Sequence, residues 1–302
     1  MKPLHVDWQE LRFGVEIEFV GGNTENLELL PGWVLSADEL QVDDTGEESG
    51  GELKPPPIRW HEREQIREML SRLHAAGAAA NWNCGLHVHV GVLPWGQDVM
   101  PRFIEAALQY QEAVRYLLRT SEDRRIFCPP VTADMYDRFM AAPGSAALLH
   151  KGRPQSHRCG INLAAWFDIG TVEIRYANGS LDYDEVINTV EFCLRFVAAI
   201  GSGRKLSCDP ERMAIELGAP VSGYPQPIPA PRWYRERMWL ENAFVPILAP
   251  LARDLVPDGE ILQIVPAPEG MVVAIEGADE TVCKYLFHAP ATGWEVARRL
   301  PD

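Results

Sequence analysis

Three short segments of this chain alternate, residue by residue, between apolar and ionic side chains. A two-residue period of that kind fits a strand with one dry face and one charged face. In "RFGVEIEFV", residues 12–20, Phe13, Val15, Ile17 and Phe19 fall on one side, opposed to Gly14, Glu16 and Glu18. "NCGLHVHVGV", residues 83–92, sets His87 and His89 one residue apart inside an apolar run. "TVEIRY", residues 171–176, opposes Val172, Ile174 and Tyr176 to Thr171, Glu173 and Arg175. Strands of this design need cover on their apolar faces only, which predicts an α+β protein with helices on one side of a sheet.

The intervening segments supply that cover. Residues 60–76 read as a helix with Ile66, Met69, Leu70 and Leu73 on one stripe, acidic residues in its first turn and Gly77 after its end. Pro101 starts a second, with Phe103, Ala107, Tyr110, Val114 and Leu117 at helical spacing. Asp182 is expected to cap a third, with Glu185 reaching back and Val186, Val190, Cys193, Val197 and Ile200 along one face. Past residue 205 the character shifts. "VSGYPQPIPAPRW" reads as a proline-rich linker, residues 232–245 have helical character, and "ILQIV", "MVVAI" and "VCKYLF" are short β-like runs. Residues 1–205 are therefore expected to form a core, and 206–302 a C-terminal extension.

Composition narrows the partners. A formal net charge of −15 opposes a nucleic-acid backbone, and no Lys/Arg run offers a local basic groove. No stretch approaches about 18 consecutive apolar residues, the minimum for a membrane span. The apolar "AFVPILAPLARDLV" is short and broken by Pro246 and Pro250. "MKPLHVDWQELRF" lacks the apolar run of a signal peptide. The cysteines at 84, 128, 159, 193, 208 and 283 form no CxxC pair, so neither a zinc knuckle nor a dense disulfide framework is expected. A cytoplasmic chain with reduced thiols and neither nucleic-acid nor membrane partners is the simplest reading.

The charged faces carry the chemistry. Residues i and i+2 of a strand lie roughly 6–7 Å apart on one face, so Glu16 and Glu18 can reach one cation or two neighbouring ones. Without cations, clustered carboxylates repel and some stay protonated, at ~1.4 kcal/mol per pKa unit. Divalent metal removes that conflict, and carboxylates with an occasional imidazole suit Mg²⁺ or Mn²⁺ better than zinc. Taken singly, an ExE or HxH strand is more often a solvated face, and Glu173 with Arg175 reads as an ion pair worth ~1 kcal/mol or less. Three such strands in one core, set among Gly14, Gly85, Gly91 and Gly170, point instead to a shared ionic site.

"FGVEIEF", "CGLHVHVG" and "GTVEIRYANGSLD" resemble, in order and spacing, the signature segments of the amidoligase family, a branch of the glutamine synthetase and glutamate–cysteine ligase superfamily. The resemblance covers roughly residues 11–200. It implies a glutamine-synthetase-like curved antiparallel sheet whose charged face binds ATP and two or more Mg²⁺ ions. The implied reaction activates a small-molecule or peptide carboxylate as an acyl phosphate, which an amine attacks to give an amide or isopeptide bond. By the same resemblance Glu16, Glu18, Glu52 of "SGGELKPPP", His87 and Glu173 would hold metal, His89 would face nucleotide, and Arg175 would hold phosphate. Arg124 or Arg125 of "SEDRRIFCPP" and Asn162 of "GINLAAW" are similar to ligand-binding positions. Asp43 and Asp182 also match family positions, although Asp182 has a full explanation as a helix cap. Two rival readings are a metal-dependent hydrolase using the same carboxylates and histidines, and a non-catalytic nucleotide-binding relative.

Overall fold

The computed structural model describes residues 4–36, 41–151, 156–278, 281–289 and 293–300. They fall into two compact units, one made of the described residues from 4 to 150 and from 156 to 229, the other of residue 151 and the described residues from 230 to 300.

The first unit is α+β. Its strands are β1 (Phe13–Gly21), β2 (Val34–Ser36), β3 (Gln41–Val42), β4 (Glu48–Ser49), β5 (Gly51–Lys54), β6 (Ala78–Ala79), β7 (Gly85–Gly91), β8 (Ile161–Asn162) and β9 (Thr171–Asn178). The main sheet runs β2-β5-β1-β7-β9-β8, with β6 also pairing β1, while β3 and β4 form a separate two-stranded ladder. Every pairing in these sheets is antiparallel. The three alternating segments are thus β1, β7 and β9, adjacent in the middle of one sheet.

Their apolar faces are dry. Phe13, Val15, Ile17 and Phe19 of β1, Leu86, Val88 and Val90 of β7, and Val172 and Ile174 of β9 belong to one buried cluster. The same cluster takes Ile66, Met69, Leu70 and Leu73 of α1 (Glu64–Ala75), Phe103, Ala107, Tyr110, Val114 and Leu117 of α2 (Met100–Leu117), and Val186, Val190, Cys193, Val197 and Ile200 of α5 (Tyr183–Gly201). Each side chain of this kind contributes about 1.5–3 kcal/mol when fully buried, so the period-two and helical patterns meet in a single core. Two shorter helices, α3 (Ala133–Ala141) and α4 (Ala165–Ile169), lie between α2 and β9 in the chain.

Local details depart from expectation for identifiable reasons. A 3₁₀ turn over Trp60–Glu62 precedes α1, so the α-helix itself starts later than residue 60. Asp182 caps α5 by accepting from the Glu185 N–H at 3.0 Å. Glu185 does not reach back; its carboxylate accepts from Ser180 Oγ at 2.6 Å, and Ser180 Oγ accepts from the Asp182 N–H. The first unit also continues past residue 205. α6 (Pro210–Leu217), capped by Asp209 and closed by Gly218 at φ +66, adds Met213, Ala214 and Leu217 to the same core.

The second unit pairs α7 (Arg232–Leu255) with a meander of β10 (Glu260–Ala267), β11 (Gly270–Glu276), β12 (Val282–His288) and β13 (Glu295–Arg299). The first three strands contain the three β-like runs; the fourth, largely exposed, has no apolar run to announce it. α7 passes through Pro246 and Pro250 rather than breaking there. The two prolines, four residues apart, sit on the exposed side of the helix, so the carbonyls they leave without an amide partner can turn to water. The opposite side buries Leu248 and Ala252 against Ile261, Ile264, Val273, Ile275 and Phe287. Among the described residues no helix is long and apolar enough to cross a membrane.

Candidate functional site

Strand register, more than any single motif, assembles the charged face. Antiparallel pairing sets Glu18 opposite Glu52, Glu16 opposite His87, His89 opposite Glu173, and Glu173 opposite Asn162. Directly paired residues share a face, so four strands deliver their ionic groups to one area. Between Leu86–Ala177 and Val88–Ile174 the register shifts, β7 advancing two residues while β9 advances three. This bulge falls at Arg175 and Tyr176, which leaves Arg175 on the ionic side and Tyr176 in the core.

The side chains converge tightly. His87 Nδ1 lies 3.0 Å from Glu16 Oε2 and 3.7 Å from Glu173 Oε1, and its Nε2 is 3.5 Å from Glu18 Oε1. His89 Nδ1 meets the Thr171 hydroxyl at 3.1 Å, which fixes the ring so that Nε2 points between Glu16 Oε1 at 3.4 Å and Glu173 Oε1 at 3.6 Å. Glu173, 1% exposed, accepts from Arg175 Nη1 at 2.5 Å and from Asn162 Nδ2 at 2.7 Å. Glu18 accepts from the Gly85 N–H. Arg124 is buried, donates to the Asn83 carbonyl at 2.8 Å and lies 3.9 Å from Glu18.

Gly85 explains how a guanidinium fits under this face. A Cβ at residue 85 would stand 2.2 Å from Arg124 Nη2 and 2.7 Å from His87 Nε2. Only a residue without a side chain admits both.

Each charge in this cluster acts on its neighbours. Burial pushes the Glu16 carboxyl up, but His87 and His89 together hold it far below the usual carboxylate range. Burial acts on Glu173 in the same way, and Arg175 and the two histidines again win, so it stays ionised. For His89, burial disfavours the charged ring, yet Glu16 and Glu173 raise its pKa above the ordinary value. Glu52 moves the other way: burial, aided by Glu16 and Glu18, outweighs its contact with Lys54 and raises its pKa.

Of the residues singled out from sequence, Glu16, Glu18, Glu52, His87, His89, Glu173 and Arg175 come together, with Asn162 and Arg124 bonded to members of the group. The histidines differ in what they have left to offer. Both ring nitrogens of His87 face carboxylates, whereas His89 Nε2 is buried without a hydrogen-bond partner. Arg125 is a surface residue paired with Glu122, Asp43 closes an exposed turn through Thr45 and Glu47, and Asp182 is the cap of α5. Lys54 escaped the sequence reading. Its ammonium contacts Glu52 and lies 3.5 Å from Glu16 Oε1, and the spacing "ELK", which puts Lys54 on the face of Glu52, is the signal for it.

The donor set fits a hard divalent cation. One ligand atom each from Glu16, His89 and Glu173 lie within 4.8 Å of one another. Two carboxylates and an imidazole suit Mg²⁺ or Mn²⁺. The buried Nε of Arg175, also without a hydrogen-bond partner, supplies a further donor beside that trio and suits an anion.

Residues 9–197, more than half of the chain, match the family model described as "Putative amidoligase enzyme". Every residue of the charged face lies inside the matched stretch, and α7 and the β10–β13 meander lie outside it. No curated protein matches the chain.

Proposed function

The chain belongs to the amidoligase family, and from that premise we propose an ATP- and Mg²⁺-dependent carboxylate–amine ligase on a glutamine-synthetase-like sheet. The observation that carries the reading is the register-fixed convergence of Glu16, His89 and Glu173 beside the buried guanidinium of Arg175. ATP would supply the phosphoryl group that turns the carboxylate into an acyl phosphate, and the metal would supply positive charge at the phosphate oxygens.

Each residue then has a definite task. Glu16, His89 and Glu173 hold a cation, with Glu18, Glu52 and His87 forming the remainder of the acidic wall. His87, wedged between Glu16 and Glu18, keeps those carboxylates apart and oriented. Asn162 fixes Glu173 by donating to the oxygen that Arg175 leaves free. Arg175, held rigidly by Glu173, presents its remaining N–H groups to the transferring phosphoryl group, where preorganised charge is most effective. Arg124 steadies Glu18 from below. The low exposure of Glu173 and Arg175 strengthens all these interactions by excluding water.

The test is ADP release with pooled carboxylates, pooled amines and Mg²⁺, using Glu173→Gln as the blank. Turnover that requires both substrate classes, and is lost in the blank, supports the ligase. A protein that never binds Mg²⁺–ATP, or that cleaves amides or phosphoesters without nucleotide, refutes it.

A further inference from the structure

The roles above leave Lys54 unused. It follows Glu52 on the same face of β5, and the register that sets Glu18 opposite Glu52 carries it one step further toward Glu16. Its side chain is 34% exposed, so the ammonium had access to water, yet it contacts buried Glu52 and approaches Glu16 Oε1 at 3.5 Å. An amine between two carboxylates is an ammonium at neutral pH.

The acidic face therefore has two unlike ends. At one, Glu16, His89 and Glu173 bring ligand atoms within 4.8 Å of one another. At the other, Glu16 and Glu52 flank an ammonium, and among the described residues neither Glu18 nor Glu52 joins a metal-ligating group. An ammonium donates three hydrogen bonds and accepts none, so it occupies the place beside Glu52 Oε2 and Glu16 Oε1 that a second metal between them would need.

We propose that Lys54 is a tethered monocation standing in for a second divalent ion between Glu16 and Glu52, so that the protein's own ligands hold a single metal, at Glu16, His89 and Glu173. The inference rests on the proposed cation site at that trio and deepens it. A lysine at this place lowers the site's demand for free metal and supplies half the charge of the divalent ion it replaces, independent of metal supply.

The experiment titrates Mn²⁺ alone into the full chain and counts bound ion from the loss of the free-Mn²⁺ EPR signal, with circular dichroism confirming that each variant is folded. Wild type should bind a single Mn²⁺. Lys54→Met should gain a second, within about tenfold of the first in Kd. Lys54→Arg should stay at one, and the Glu52→Gln/Lys54→Met pair should lose the gained ion. A wild type that binds two ions of similar affinity, or a Lys54→Met protein that still binds one, overturns the inference while leaving the ligase reading intact. A wild type that binds none overturns both.

Discussion

Replacing Gly85 by alanine tests the assembly of the charged face at its tightest point. The added Cβ would meet Arg124 Nη2 at 2.2 Å, His87 Nε2 at 2.7 Å and Arg124 Cζ at 2.9 Å. A guanidinium on the surface would swing aside at little cost. Arg124 is 2% exposed and tied to the Asn83 carbonyl, so it has nowhere to go without losing that bond. Overpacking a filled site costs about 1–3 kcal/mol. Losing a buried hydrogen bond to a charged group adds about 1.5–3 kcal/mol. Allowing for partial relaxation, Gly85→Ala should destabilise the first unit by about 2–5 kcal/mol, which is ~5–15 °C in melting temperature for a unit of this size. The displaced His87 ring should also disturb Glu16 and weaken Mn²⁺ binding. Gly14 is the matched control: it pairs with His89 on the same face, but a Cβ there meets nothing within 4 Å. Gly14→Ala should stay within ~1 kcal/mol of wild type. Thermal unfolding by circular dichroism, with Mn²⁺ titration alongside, reads both. A Gly85→Ala protein that melts within ~2 °C of wild type and binds Mn²⁺ equally well would refute the close approach of Arg124.

Two further outcomes follow from the burial of charge and thiols. Glu173→Gln leaves the Arg175 guanidinium buried with its closest counter-charge gone, at a cost of about 3–5 kcal/mol. Glu173→Gln/Arg175→Met should recover at least half of that, measured as a urea-denaturation double-mutant cycle; equal losses in the single and double variants would count against the pair. Among the cysteines, Cys208 is exposed and Cys283 partly so, while Cys84, Cys128, Cys159 and Cys193 are buried. Only the first two should react rapidly with a thiol reagent at neutral pH. Burial pushes Cys84 and Cys159 up to about 12 from an ordinary 9.0. Because the folded-state pKa is the higher one, their contribution is complete below pH 9 and is lost as pH rises toward 12, by up to ~4 kcal/mol for each thiol. Alkaline unfolding that Cys84→Ala and Cys159→Ala leave unshifted would contradict this.

Local alternation in the sequence made β1, β7 and β9 legible, because residues such as Phe13, Glu16 and Glu18 must segregate to opposite faces whatever their neighbours do. The same logic found α1, α2 and α5. β5 was not legible as a strand: it is four residues between a glycine pair and three prolines, too short to show a period. Register was not legible either, since nothing local says that Glu18 faces Glu52 or that a bulge near Arg175 keeps that side chain beside Glu173. These are long-range facts, decided by how whole strands slide to bury their apolar sets. The passage of α7 through two prolines was hidden for the same reason, because exposure of the freed carbonyls depends on which side of the helix meets the sheet.

Sequence alone suggested that clustered carboxylates would tolerate one another only around bound dications. The structure offers a different balance. Glu16, Glu18, Glu52 and Glu173 share their space with Lys54, Arg124 and Arg175, which leaves a single formal negative charge before either histidine is counted. His89, its pKa raised by Glu16 and Glu173, can supply that last charge when protonated. The face is therefore close to neutral by itself. A divalent ion arriving at Glu16, His89 and Glu173 must then compete with a proton on His89, because a protonated ring has no lone pair to give. Neutrality of the empty face and affinity for the ion are thus set against each other at one nitrogen, His89 Nε2. The Thr171 hydroxyl, by holding the opposite ring nitrogen, decides which way that nitrogen points.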